Sequence, residues 1–367
     1  MTRTLVVSDL HLGTRAGVDV LARESVRETL LSGLEGVDRL ILLGDTLELR
    51  QTTFREVIDR AAPALRAIGE RLEGRTVVVV PGNHDHLLAE EWLRRHEHPL
   101  GLENRATPER ASHAAQELAG LLAPANVEVA YPGLWVADGV YATHGHYLDL
   151  HMTVPTLERL AIAVSGRLTL ADRRRWDDVH SPDEYEAVLA PLYAWLHTAA
   201  QRGRPSEAVV GGRTVGAWNA LRGSGRGRAL RMRALQAAFP LAVRALNAAG
   251  MGPLSSEISM SALRRSGLRA MAEVIERLRV DARHVIFGHT HRTGPLEGDS
   301  PPEWLTPNDT KLHNAGSWVF SQTFSRDSQS AYWPGGAIVV ADGEVPRLVR
   351  LLSDRDPQEL APRPVPV

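Results

Sequence analysis

Short apolar runs punctuate the first half of the chain, and each stops abruptly at small or charged residues. Thr4 to Val7 ends at Ser8-Asp9, Arg39 to Leu43 at Gly44-Asp45, and Thr76 to Val80 at Pro81-Gly82-Asn83. Runs this short, rich in Leu, Val and Ile, predict strands buried on both faces. Helical patterns fill the gaps at about 18–34 and 54–72. The alternation predicts an α/β sheet, in which loops after the carboxyl ends of strands gather the functional groups. Val127 to Ala130, Leu134 to Ala137 and Val140 to Thr143 are further predicted strands. Val285 to Phe287, Leu312 to Asn314, Ala337 to Ala341 and Val345 to Arg350 complete a second sheet-like set.

The pattern changes from 151 to 283, where helical spacing replaces strands. Leu157, Leu160, Ala161, Val164 and Leu168 fall on one helical face. Further helices are predicted over Glu184 to Gln201, over Leu230 to Leu246 with Pro240 dividing it, and over Ser261 to Leu278. Gly223-Ser224-Gly225-Arg226-Gly227 marks a loop between them. The expected organisation is a core of 1–150 and 284–350, a helical insertion at 151–283, and a loose Pro-rich tail at 351–367.

Composition changes the picture in two places. The 367 residues include no Cys, which excludes disulfides, thiolate-bound zinc and a cysteine nucleophile. Fifteen His are left, with the carboxylates, as the natural metal ligands. The net charge of -2 is a cancellation. Residues 151–283 carry 20 Arg against 12 Asp plus Glu, a surplus of eight, so the remainder stands at -10. The apolar run Leu5 to Val7 is too short for a signal peptide, and no stretch approaches a spanning helix. A cytoplasmic protein without a transmembrane segment is expected, with peripheral membrane contact left open.

Five short motifs follow the strand ends in order. They are Asp9-Leu10-His11, Gly44-Asp45, Gly82-Asn83-His84-Asp85, His144-Gly145-His146 and Gly288-His289-Thr290-His291. Together they offer carboxylates, imidazoles and an amide oxygen, a set suited to Mn, Zn or Fe(II). In Asp9-Leu10-His11 and His289-Thr290-His291, alternate residues of an extended segment point one way, so each pair can approach one metal. The glycines before Asp45, Asn83 and His289 let the backbone turn beside a crowded centre. Any one motif is weak; the ordered set at strand ends is strong.

The set resembles the calcineurin-like metallophosphoesterase superfamily, whose pattern is Asp-x-His, Gly-Asp, Gly-Asn-His-Asp/Glu, His and Gly-His-x-His. All five elements are present. The resemblance implies an α/β fold, an αββα sandwich of two mixed β-sheets flanked by helices, with 151–283 as a large helical insertion or cap. It implies a metal-dependent phosphoric ester hydrolase with two divalent ions, Mn²⁺ first and Fe or Zn as alternatives. Asp9, His11, Asp45 and His291 would hold one ion. Asp45, Asn83, His144 and His289 would hold the other, with Asp45 bridging. Two ions roughly 3.5–4 Å apart can share a hydroxide and clamp an in-line displacement. His84 would contact the phosphate and protonate or stabilise the leaving oxygen, with Asp85 orienting its imidazole.

Other residues are less determined. His146 reads as a substrate contact or a structural residue. Glu48 either supports the site or opens a helix with a favourable carboxylate. Asp149 and His151 are candidates for the cleft mouth, and Asn314 for support of the last motif. His86, His96, His98, His113, His180, His197, His284 and His313 carry no motif and read as ordinary. Between 201 and 233 there are eight Arg against Glu207 alone. Arg forks pair with phosphate oxygens, so Arg226, Arg228 and Arg231 are expected to recruit a phosphorylated small-molecule or lipid-linked substrate. The Ser8 to Leu12 start and the insertion are similar to UDP-2,3-diacylglucosamine hydrolases, which usually have Arg where this chain has His84. DNA repair nucleases share Asp-x-His-Leu-Gly and Gly-Asn-His-Asp. Only Trp218 could stack a base in the basic stretch, so nucleic acid is the weaker partner. A non-catalytic scaffold would have lost ligands or the catalytic His, and none is missing here.

Overall fold

The computed structural model describes residues 2–153, 179–202, 259–325 and 327–362. The chain divides into two compact units. One comprises Met1–His146, Ala200–Gly203 and Arg279–Val367, the other Tyr147–Ala199 and Arg204–Leu278.

In the first unit, β1 (Arg3–Val7), β2 (Arg39–Leu43) and β3 (Thr76–Val80) pair in parallel. Beyond its first residue each strand is wholly buried, as the unbroken apolar runs require. The connections carry α1 (Glu24–Gly33) and α2 (Phe54–Arg71). The Thr53 hydroxyl starts α2 by accepting the Glu56 N–H at 3.4 Å. After β3 come α3 (Leu87–Arg95), β4 (Glu103–Ala106), α4 (Pro108–Ala111) and α5 (His113–Leu122). One face of the strands, with Leu5, Leu40 and Val77, packs on Val26, Val57, Leu65 and Leu118 of the helices. Each such side chain contributes about 1.5–3 kcal/mol of burial.

The expected break between two strands at Tyr131-Pro132-Gly133 is absent. One strand, β5 (Asn126–Ala137), runs through it. Its first half pairs parallel with β3 and its second half antiparallel with β6 (Val140–Thr143). Pro132, which has no N–H to give, falls where β4 pairs through a register shift, so the ladder tolerates it. β4 itself was not predicted, because Glu-Asn-Arg-Ala has no apolar alternation. Next come β7 (His284–Phe287), the short β8 (Thr293–Gly294), β9 (Lys311–Ala315), β10 (Gly336–Ala341) and β11 (Arg347–Arg350).

The strand order is β11-β10-β1-β2-β3-β5-β6-β7-β9-β8, with β4 on β5. The two expected sheets are therefore two arms of one hydrogen-bonded path joined through β5. Val6, Ile41 and Val78 of one arm pack in one cluster with Ala142, Ile286 and Ala315 of the other. The second sheet-like set needs a correction. β10 pairs antiparallel with β1, and β11 with β10, so both extend the first arm.

In the second unit, the described helices are α6 (Pro182–Gln201) and α7 (Met260–Arg277). Ser259 caps α7 by accepting the Ala262 N–H at 3.0 Å. Tyr147 stacks on Tyr185 with ring centres 4.5 Å apart and donates to Glu186 Oε1 at 2.7 Å. His151 Nε2 lies 2.6 Å from the Tyr185 hydroxyl. The helices expected at Leu157 to Leu168 and Leu230 to Leu246, and Arg226, Arg228 and Arg231, lie outside the described residues. No helix among the described residues is long and apolar enough to cross a membrane.

The loose tail is also corrected over residues 351–362. Leu352 and Leu360, the latter in α8 (Pro357–Leu360), are fully buried. Trp333 Nε1 donates to the Leu352 carbonyl at 2.6 Å, and Arg23 donates to the Ala361 carbonyl. Pro-rich composition masked two apolar anchors at useful spacing.

Candidate metal centre

The five motifs leave the carboxyl ends of β1, β2, β3, β6 and β7, and the backbone laces them together. Asp9 N–H donates to Gly44 O at 3.1 Å, His11 N–H to Asp45 O at 2.8 Å, and Gly288 N–H to His144 O at 3.0 Å. Asp9, His11, Asp45, His289 and His291 all have φ between 45° and 64°. Left-handed backbone at non-glycine residues costs about 1–3 kcal/mol each and clusters at functional sites. Of the glycines before Asp45, Asn83 and His289, only Gly44 has positive φ. Gly82 is needed for room, because a Cβ there would strike Asp45 and His144.

All seven expected ligands come together. Ligand atoms of Asp9, His11 and His291 lie within 4.8 Å of one another, and so do those of Asp45, His144 and His289. Asp45 Oδ2 stands between the groups, 3.7 Å from His11 Nε2 and 3.3 Å from His144 Nε2. Asn83 Oδ1 faces His144 Nε2 and His289 Nδ1 at 3.1 Å each. His84 also falls within reach of His11 and Asp45. The cluster meets solvent through His84 and His291, whose side chains are 18% and 36% exposed.

The chemistry of these atoms fits a cation. His144 Nδ1 is 2.9 Å from the Leu43 carbonyl, so it carries a proton, and in the neutral ring the Nε2 lone pair faces inward. Asp9 Oδ2 accepts from Ser8 Oγ at 2.6 Å and from the His289 N–H at 2.9 Å, while buried Oδ1 is left to face His291 Nε2 at 3.2 Å. Turning the Asn83 amide over would give its NH₂ to His144, Asp45 and His289 and its oxygen to Arg50. That is the choice of a cleft without a cation; the oxygen facing inward is the choice of one with it. Burial opposes charge on His144, yet the Asp45 carboxylate carries it up to about 9. Burial likewise opposes ionisation of Asp45, but His144, His84 and His11 hold it well below the usual carboxylate range. The cleft has an appetite for positive charge.

The family model for calcineurin-like phosphoesterase matches residues 2–226. This chain belongs to the calcineurin-like phosphoesterase family. It is therefore a metal-dependent phosphoric ester hydrolase. The match spans more than half the chain and contains the first four motifs. The fifth lies beyond it, and β7 delivers His289 and His291 to the others. No match to a curated protein was found.

Two expected roles change in this phosphoesterase. Asp85 does not touch the His84 ring. Its carboxylate accepts four backbone N–H groups: Gly82 at 2.7 Å, Thr46 at 2.7 Å, and Asp45 and Leu47 at 3.2 Å. It braces the Asp45 loop against the Asn83 loop. Burial, with Asp45 alongside, pushes its carboxyl up to about 6. The imidazole is held instead by Glu48, whose Oε2 is 2.8 Å from His84 Nδ1 and 2.9 Å from His11 Nδ1. Burial works against the Glu48 carboxylate, but His84 and then His11 hold it well below the usual range. One carboxylate thus ties an expected ligand to the expected acid. His146, considered for substrate contact, is only 1% exposed and faces Tyr131.

Some supporting residues escaped sequence reasoning. Ser8 sits between Asp9 Oδ2 and the Leu43 carbonyl, the latter at 2.7 Å. Arg50 Nη2 donates to the Asn83 carbonyl at 2.7 Å. Their adjacency to Asp9 and Glu48 was the available signal. Asn314 supports the last motif as expected, donating to Gly288 O at 3.0 Å and Thr290 Oγ1 at 2.9 Å.

Proposed function

We propose that this phosphoesterase hydrolyses a phosphate monoester, diester or pyrophosphate with two divalent ions, Mn²⁺ first, Fe or Zn as alternatives. Asp9, His11, Asp45 and His291 hold one, and Asp45, Asn83, His144 and His289 the other, with Asp45 shared. The observation that carries this reading is a convergence of ligand atoms. Asp45 Oδ2 and Asn83 Oδ1 stand 3.3 Å and 3.1 Å from His144 Nε2, and Asp9 Oδ1 stands 3.2 Å from His291 Nε2, so carboxylate, amide and imidazole groups that can hold a cation meet at one place. When bound, the ions supply a nucleophilic water at neutral pH and stabilise charge on the phosphorus oxygens.

The residues do the rest. Glu48 accepts from Nδ1 of His84, which leaves Nε2 to donate to a phosphate or leaving oxygen when the ring is protonated. Asp85 holds the two loops in register. The arginine surplus at 201–233, with Arg226, Arg228 and Arg231, recruits the anionic substrate, which is a phosphorylated small molecule or a lipid-linked precursor. The cytoplasmic location and a cap role for 151–283 belong to the same reading.

The test is a screen of metal-stripped protein over phosphomonoesters, phosphodiesters, nucleotide sugars and DNA. Hydrolysis of one class that returns with Mn²⁺ is expected, and the class decides between small-ester, lipid-precursor and nuclease roles. Absence of metal-dependent hydrolysis throughout refutes the reading. Arg226→Gln with Arg228→Gln and Arg231→Gln should raise KM; an unchanged KM would remove the arginine role alone. His84→Ala should lower kcat far more than bound metal, whereas loss of metal would make His84 a ligand.

A further inference from the structure

Behind the His144 ring lies a buried polar set that the chemistry above does not use. The His146 ring centre is 5.6 Å from that of His144, at a tilt of 36°. His146 Nε2 is 3.1 Å from the hydroxyl of Tyr131, which is fully buried. The His86 ring meets Tyr131 edge-on at 5.9 Å. Tyr131 lies where β5 passes from its β3-paired half to its β6-paired half. Its carbonyl accepts from Asn104 Nδ2 at 2.8 Å, so its backbone is pinned from outside the cleft.

We propose that Tyr131 is a positioning residue for the second cation. Its hydroxyl fixes the His146 ring, and that ring sets the tilt of His144. The Nδ1 bond to the Leu43 carbonyl decides which His144 nitrogen is free, while the Gly44 and Gly82 backbones and the edge-on His289 ring, 5.2 Å away, pack around the imidazole. The His146 ring completes this surround, so a shift of His146 would let His144 Nε2 turn from its place beside Asn83 Oδ1. Partners outside the ligand set that fix a ligand's orientation change metal affinity by about 10–100-fold when they are removed. The proposal rests on the two-ion reading above.

The test titrates metal-stripped full-length protein with MnCl₂ by calorimetry and records the thermal midpoint of the metal-free form. Wild type should bind two ions. Tyr131→Phe, which removes one oxygen and keeps the ring, should bind one of the two about 10-fold more weakly. Its metal-free midpoint should fall by no more than a few degrees, and excess Mn²⁺ should restore kcat with KM unchanged. His146→Phe keeps a flat ring on His144 but offers Tyr131 no nitrogen, and it should weaken the same ion. A lowered midpoint with wild-type Mn²⁺ affinity in these variants would make Tyr131 merely structural and overturn the proposal. Wild-type protein that binds no Mn²⁺, Zn²⁺ or Fe²⁺ would overturn the two-ion reading itself.

Discussion

Strand β7 carries a buried histidine at one end and delivers two more just past the other, and the two ends behave oppositely. At the carboxyl end, His289 and His291 join His11 and His144 around Asp9, Asp45 and Glu48. At the amino end, His284 Nδ1 meets His313 Nε2 of β9 at 3.0 Å. Burial opposes imidazole charge in both places. At two rings of the cleft the carboxylates win: His144 rises to about 9, and His11 is raised by Asp9 and Glu48 against its burial, while at His84 burial, with Arg50, outweighs Glu48 and lowers the ring. In the pair no carboxylate answers, so burial, with His284 and Lys311 nearby, pushes His313 down to about 4. Burial always pushes an imidazole down, and only carboxylates strong enough to outweigh it reverse the sign. An imidazole cluster with carboxylates is a place for a cation, while a pair without them is a neutral hydrogen bond.

The sharpest way to break this contrast is to make the cleft resemble the pair. Asp45→Asn removes the carboxylate between the two histidine groups at almost constant volume. We expect kcat to fall by roughly 10³-fold, since a charge-stabilising arrangement is lost at its centre. Unchanged circular dichroism would show the fold intact; full activity would refute the bridging role. Glu48→Gln is the next step down. It neutralises the partner of His11 and His84 while Asp45 stays, and kcat should fall roughly 10–100-fold. Asp85→Asn separates bracing from chemistry. An amide can accept through only one oxygen, so some of four buried N–H groups lose their partner, at about 2 kcal/mol in urea unfolding. A kcat defect in Asp85→Asn without loss of stability would return Asp85 to the role first expected of it.

Legibility in the sequence followed the same physics. The parallel strands were readable to within a residue, because double burial demands an unbroken apolar run such as Thr76 to Val80. The convergence of the candidate ligands was readable because strand ends present their side chains at one edge of the sheet. Glu48 was only half visible: three residues past Asp45, it could equally have opened a helix. The carboxylate of Asp85 was misassigned because adjacency to His84 says nothing of direction, and it turns toward backbone amides instead. Tyr131-Pro132-Gly133 was a gap between two expected strands, since a ladder that tolerates Pro through a register shift leaves no local mark. The sheet assignment of β10 depended on pairing with β1 across more than 300 residues, which periodicity cannot encode.

A titration outside the cleft tests the other half of the contrast. A histidine whose folded pKa is depressed favours the folded state above its unfolded value, near 6.5, and loses that contribution as pH falls through about 4. His313→Gln keeps a hydrogen-bonding partner for His284 Nδ1 and removes this titration. In urea unfolding with EDTA present, so that metal release does not enter, wild type should lead the variant at pH 7. That lead should shrink by about 3 kcal/mol on going to pH 4. The protons taken up by Asp9, Asp45 and Glu48 over the same range are common to both proteins and cancel. A lead that stays constant would mean that His313 titrates as an exposed imidazole does. Burial without a carboxylate would then not depress a histidine here, and the shift of His144 could not be credited to Asp45 by contrast.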